Sequence, residues 1–83
     1  MIYAKRVEKA LATIPAHDVT ALRRDFAVLA SDPYSRQVDV KKLQPKDLGQ
    51  YRLRVRRWRA IFELDQAHHR ILVLAVDDRR DVY

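Results

Sequence analysis

The chain has 83 residues, 48% hydrophobic and 34% charged, a composition that predicts one small globular domain over residues 1–83 and excludes a disordered chain. It has no cysteine, which excludes disulfides and thiol chemistry, and no apolar run approaches the roughly 18 residues of a transmembrane helix. Seventeen lysines and arginines against eleven acidic residues give a net charge of +6, so we expect a polyanionic partner, nucleic acid or acidic protein, and no membrane. A reducing, cytoplasmic location fits these features.

Two helices are predicted in the first part of the chain. Apolar residues recur at helical spacing over residues 4–14, and Pro15 ends this helix. A second helix begins at Asp18, which is a better N-cap than His17, and Asp32 closes it before a proline. The first half is therefore expected to form a helical hairpin.

The spacing of apolar residues changes from 3.6 to 2 in the second half. Residues 51–55 alternate apolar side chains with arginine, and residues 58–64 form the next predicted strand. Residues 71–76 are a continuous apolar run, as expected of a strand covered on both faces, and follow a turn at 66–69. Residues 38–43 add a short strand or an extended segment. Helices followed by an antiparallel meander predict an α+β domain.

The alternation also predicts a register for the first two of these strands. With a two-residue turn at Arg56 and Arg57, all apolar residues fall on one face and the arginines on the other. A longer loop is the alternative, because arginine is an unusual residue for the positive φ angles of such turns. The predicted cross-strand pairs are Val55 with Trp58, Arg54 with Arg59, Leu53 with Ala60 and Tyr51 with Phe62.

The arginines are the most unusual feature of the sequence. Residues 50–62 contain five arginines and no acidic residue. On the predicted register Arg54 and Arg59 lie directly opposite each other, with Arg52 on the same face. Like charges in this position destabilise a sheet, so a bound anion is expected to offset them, and guanidinium suits phosphate. The same face is expected to continue with an apolar floor formed by Ile61, Leu72, Leu74 and Val76.

Simpler interpretations stay open for several of these residues. The arginines are alternatively a solvated basic surface, some of them paired with Asp77, Asp78 or Glu63. Tyr83, among arginines that favour its phenolate, is either a base or a packing aromatic. Asp65 and Arg70 bracket the last turn as an expected structural pair. No group of residues has the spacing of a metal site, and no cofactor is expected.

Several segments together resemble a known family. They are residues 11–15, 29–33, 42–43, 51–55, 58–65 and 79–83. Their order and spacing resemble the RelE/ParE superfamily of toxins from bacterial type II toxin–antitoxin systems, and within it the RelE branch. The resemblance implies a helical hairpin packed on a small antiparallel β-sheet, with a first strand that is short or missing here.

The resemblance also implies an activity. RelE-like toxins enter the ribosomal A site and cut mRNA without a metal or cofactor, as the RNA 2′-hydroxyl attacks the neighbouring phosphate. By position, Arg59 would stabilise the transition state, Arg79 would contact the phosphate or the leaving group, and Tyr83 would act as the base or orient the substrate. The other residues expected to contact RNA phosphates are Arg52, Arg54, Arg56, Arg57, Lys41, Lys42, Lys46 and Arg80.

The implied partners are a cognate RelB-like antitoxin, mRNA on the ribosome, and operator DNA only for the toxin–antitoxin complex. Two alternatives to the endoribonuclease stay open: a ParE-type inhibitor of DNA gyrase, and a catalytically inactive member that binds antitoxin or operator. Asp78 stands where related toxins commonly have histidine, and it is expected to place a negative charge near the site.

Overall fold

The structure, a computed structural model, describes residues 1–44 and 49–78. These residues form a five-stranded sheet with strand order β1-β5-β4-β3-β2 and two helices. In chain order the elements are β1 (Ile2–Tyr3), α1 (Lys5–Thr13), α2 (Ala16–Ser31), β2 (Asp39–Lys42), β3 (Tyr51–Val55), β4 (Trp58–Asp65), a 3₁₀ turn (Gln66–His68) and β5 (Arg70–Asp78). The predicted α+β fold is confirmed. The sheet is mixed, because the short β1 pairs in parallel with β5.

The helical hairpin is confirmed, but its second helix begins earlier than predicted. Pro15 occupies the N-cap position of α2, so the prediction that Asp18 is the N-cap is wrong. Asp18 lies in the first helical turn, where a carboxylate interacts favourably with the helix dipole. Its Oδ2 accepts a hydrogen bond of 2.9 Å from the indole Nε1 of Trp58, a tertiary contact that local sequence does not show.

The core lies between the helices and one face of the sheet, which we call the helix face. Val7 of α1 and Leu22 and Leu29 of α2 are fully buried against Leu53 and Phe62 of the sheet. Burying such side chains stabilises a fold by about 1.5–3 kcal/mol each. The opposite face, which we call the outer face, carries the arginines of β3 and β4.

The predicted register of β3 and β4 is confirmed at each of its four pairs. The two-residue turn is also confirmed: Arg56 and Arg57 alone connect Val55 to Trp58. Arg56 has a φ of 57°, in the left-handed region that glycine and asparagine usually occupy. Such a conformation costs on the order of 1 kcal/mol, so contacts of this turn must offset it.

A bulge changes the register between β4 and β5. Ile61 pairs with Ala75 but the next residue, Phe62, pairs with Val73, so the register skips Leu74. The Leu74 carbonyl instead accepts a hydrogen bond of 2.7 Å from Nε of Arg6. Because of this shift, Val76 pairs with Ala60 and belongs to the core on the helix face. The prediction that Val76 continues the outer face is therefore wrong, and Ala75 takes that place.

The turn between β4 and β5 contains the expected structural pair. Asp65 and Arg70 face each other, and Arg70 Nη2 lies 2.8 Å from Asp65 Oδ2. The hydrogen bond from Arg70, and then that from His68, hold the pKa of Asp65 below its ordinary value.

Within the described residues, no helix combines the length and apolarity needed to cross a membrane.

Candidate nucleic-acid interface

A row of four charged side chains crosses the outer face of the sheet. Arg54 and Arg59 lie directly opposite each other on adjacent strands, as predicted. Asp39 of β2 pairs with Arg54 on one side, and Asp77 of β5 pairs with Arg59 on the other. The row therefore reads acid, arginine, arginine, acid across four strands, and we call it the charged row.

Asp39 contacts two arginines. Its carboxylate accepts a hydrogen bond of 2.9 Å from Arg54 Nε and one of 3.2 Å from Arg52 Nη2. The Arg52 side chain is only 11% exposed, whereas those of Arg54 and Asp39 are 51% and 46% exposed. The Asp39 carboxylate thus offsets part of the repulsion between the arginines of this face, and the expected bound anion stays a prediction.

The two turn arginines lie apart from the charged row. Arg56 Nη1 is 3.5 Å from Asp18 Oδ1, and Arg57 Nη2 is 2.6 Å from Asp78 Oδ2. Both carboxylates lie on the helix side of the sheet, as does Trp58, the cross-strand partner of Asp78. The negative charge expected from Asp78 is therefore directed away from the outer face, and Asp77 supplies one there instead.

The predicted lysines are divided between the two faces of the sheet edge. Lys41 pairs with Arg52 and so lies on the outer face, next to the charged row, whereas Lys42 pairs with Tyr51 on the helix side. Both side chains are exposed. Four other predicted site residues lie outside the described residues: Lys46, Arg79, Arg80 and Tyr83.

The apolar part of the outer face is largely covered. Ile61 is 3% exposed and Ala75 is 4% exposed. A Cβ atom on Gly49 would lie 2.7 Å from Ile61 Cγ2 and 3.2 Å from Leu74 Cδ1, so this backbone passes close over both side chains. Gly49 is the chain's one glycine, and close backbone approach is a reason for glycine that we did not assign from sequence.

Comparison with known proteins identifies the fold. Neither a protein-family model nor a curated protein sequence matches the chain. Solved structures do match it, among them two RelB-RelE complexes. The RelB-RelE antitoxin-toxin complex of Methanococcus jannaschii matches with a TM-score of 0.81 and 21% identity, over 100% of this chain and 95% of the other. The archaeal RelE-RelB complex of Pyrococcus horikoshii OT3 matches with a TM-score of 0.80 and 27% identity, over 95% of this chain and 92% of the other.

The chain has the fold of the RelE toxins. The similarity spans nearly the whole of each chain, so the RelE-like helical hairpin and sheet account for the entire described structure. This confirms the resemblance found in the sequence. In this RelE-like fold, Arg59 is half-buried on β4, which is the middle strand of the five-stranded sheet.

Proposed function

We propose that this chain is the toxin of a type II toxin–antitoxin system and that it inhibits translation by cutting mRNA on the ribosome. The fold shared with RelE toxins over almost the full chain supports the toxin role. The observation that carries the RNA-cutting activity is the pair of adjacent arginines on the outer face, Arg54 and Arg59. Paired guanidinium groups are suited to grip the sugar–phosphate backbone of RNA.

The proposed reaction is an internal transesterification. The RNA 2′-oxygen forms a bond to the adjacent phosphorus, the bond from phosphorus to the 5′-oxygen breaks, and a 2′,3′-cyclic phosphate and a 5′-hydroxyl result. Negative charge increases on the phosphate oxygens in the transition state. Arg59, half-buried in the sheet and permanently charged, would stabilise that charge, and partial burial strengthens the interaction relative to water.

The proton transfers are assigned to the residues that follow β5. Tyr83 would accept the proton of the 2′-hydroxyl or orient it, and Arg79 would contact the phosphate or assist the leaving 5′-oxygen. Arg79 comes two residues after Asp77, the partner of Arg59 in the sheet. Positive charge near a phenol lowers its pKa, which favours a tyrosine as a base.

The proposed protein partner is a RelB-like antitoxin. Two of the solved neighbours are RelB-RelE complexes. A net charge of +6 favours an acidic partner through electrostatic complementarity. Binding of operator DNA would belong to the toxin–antitoxin complex, in which the antitoxin contributes its own surface.

Induction of wild-type and variant chains in cells tests the activity. Arg59→Ala is expected to relieve growth arrest and to lower mRNA cleavage in a reconstituted translation system by about 100- to 1,000-fold, the typical cost of one transition-state donor. Tyr83→Phe is also expected to relieve growth arrest and to lower mRNA cleavage. Arg24→Ala, which removes an exposed arginine from α2, is the matched control. Circular dichroism checks that each variant folds.

Other outcomes would assign a different function. Intact mRNA together with blocked DNA supercoiling by wild-type protein would identify a gyrase inhibitor. A wild-type chain that arrests nothing but still binds its antitoxin would identify an inactive member. If Arg59→Ala cut mRNA as fast as the wild type, the charged row would have no part in the reaction.

A further inference from the structure

The β3–β4 turn places two consecutive arginines beside two buried carboxylates. The side chains of Asp18 and Asp78 are each only 10% exposed, and each lies within ion-pair distance of one turn arginine. A buried carboxylate without a cation is strongly destabilising. These ion pairs therefore explain why the turn keeps arginine at a left-handed position that suits other residues better.

Arg57 makes the more specific of the two contacts. Its Nη2 lies 2.6 Å from Asp78 Oδ2, and its Cζ lies 5.0 Å from the centre of the Trp58 ring. The guanidinium is thus held by a carboxylate and by an aromatic face together. The indole is fixed in turn by its hydrogen bond to Asp18. We call Arg57, Trp58, Asp78 and Asp18 the turn clamp.

The turn clamp lies at one end of the β4–β5 ladder. Trp58 and Asp78 form the terminal cross-strand pair, and Arg59 and Asp77 form the next one. The turn clamp therefore holds Asp78 of β5 against the first residue of β4, one residue pair away from Arg59 and Asp77. The chain continues from this point into Arg79.

We propose that Arg57 is a positioning residue, which holds Asp78 at the end of the β4–β5 ladder and so keeps the next pair, Arg59 and Asp77, in place for the phosphate. This inference rests on the proposed function and assigns to Arg57 a role other than phosphate contact. Its guanidinium pairs on the helix side of the sheet, whereas Arg54 and Arg59 lie on the outer face.

Three variants test the positioning role. Arg57→Ala and Asp78→Asn are each expected to lower the cleavage rate at saturating RNA by about 10- to 100-fold, as misplacement of reacting groups does. Affinity for a non-cleavable RNA is expected to stay within about twofold, since no phosphate contact is lost. The charge swap Arg57→Asp with Asp78→Arg is expected to recover part of the rate, because it restores the ion pair.

A phosphate ligand at Arg57 would give the opposite pattern. Arg57→Ala would then weaken RNA binding and lower the slope of log affinity against log salt by about 0.7, the value for one contact to single-stranded RNA. The charge swap would recover nothing. This result would overturn the proposal.

The anchoring itself has a readout that needs no catalysis. Trp58 is the chain's one tryptophan, so its fluorescence reports on the turn clamp alone. Arg57→Ala is expected to shift its emission to longer wavelength and to speed amide exchange at residues 76–78. Unchanged emission and exchange would refute anchoring even if cleavage fell. If the wild-type chain cuts no RNA, the proposed function fails, and these two measurements still decide whether Arg57 anchors β5.

Discussion

Asp39 is predicted to weaken RNA binding by competing for the arginine that it holds. Its carboxylate occupies the Nε edge of Arg54 at 2.9 Å, so a phosphate must approach the guanidinium by another edge and remain close to a like charge. The substitution Asp39→Asn removes this charge and retains an oxygen acceptor for Arg54. We therefore expect the variant to bind RNA more tightly than the wild type.

The size of the effect follows from the geometry. A phosphate on the far edge of the Arg54 guanidinium would lie about 6 Å from the Asp39 carboxylate, where two unit charges in water repel by about 0.7 kcal/mol. The value for water applies because both side chains are about half exposed, at 51% and 46%. A difference of about 0.7 kcal/mol corresponds to a roughly threefold lower Kd.

Fluorescence anisotropy measures this difference directly. The probe is a labelled single-stranded RNA with 2′-O-methyl groups, which cannot be cut, titrated at constant ionic strength. Asp25→Asn is the matched control, since it removes the same charge from α2. If both variants bound RNA more tightly by the same factor, the change in net charge alone would explain the effect. Unchanged or weaker binding by Asp39→Asn alone would refute the placement of the phosphate on the charged row.

Two further predictions concern stability. Trp58→Phe removes the donor to the buried Asp18 and is expected to cost about 2 kcal/mol, a fall in Tm of about 8–16 °C by thermal circular dichroism. A loss below about 0.5 kcal/mol would show that this hydrogen bond contributes little. Asp65, whose pKa is lowered by Arg70 and then by His68, is expected to lose its stabilising contribution as pH falls below about 4. The Asp65→Asn variant should therefore lose less free energy of unfolding between neutral and acidic pH than the wild type does. Denaturant titrations at several pH values measure this loss, and an equal loss in the two proteins would contradict the prediction.

The register of β3 and β4 could be predicted from sequence because it depends on local information. Two residues separate the strands, and only one alignment places the apolar residues of Tyr51–Phe62, Leu53–Ala60 and Val55–Trp58 together on the helix face. The pairing of Arg54 with Arg59 follows from that alignment. The unfavourable φ of Arg56 did not prevent it, because the turn arginines gain ion pairs with distant carboxylates.

The parts of the site that were missed depend on contacts between distant residues. Asp39 joins the arginines only because β2 pairs with β3, and the sequence between these strands does not fix that alignment. Val76 moved to the core because a bulge at Leu74 shifts the strand by one residue, and no local pattern marks the bulge. Asp18 has an N-cap sequence, but its partner Trp58 lies 40 residues later.

The exposed edge of the sheet has a consequence for how the chain behaves at high concentration. β2 has four residues and carries Lys41 and Lys42, both exposed, at the border where the sheet has no further described strand. Two copies that met edge to edge would bring four ammonium groups together, and lysines on a short edge strand oppose such pairing. Lys41, which adjoins the charged row, and Lys42 on the other face therefore both discourage fibril-like aggregation.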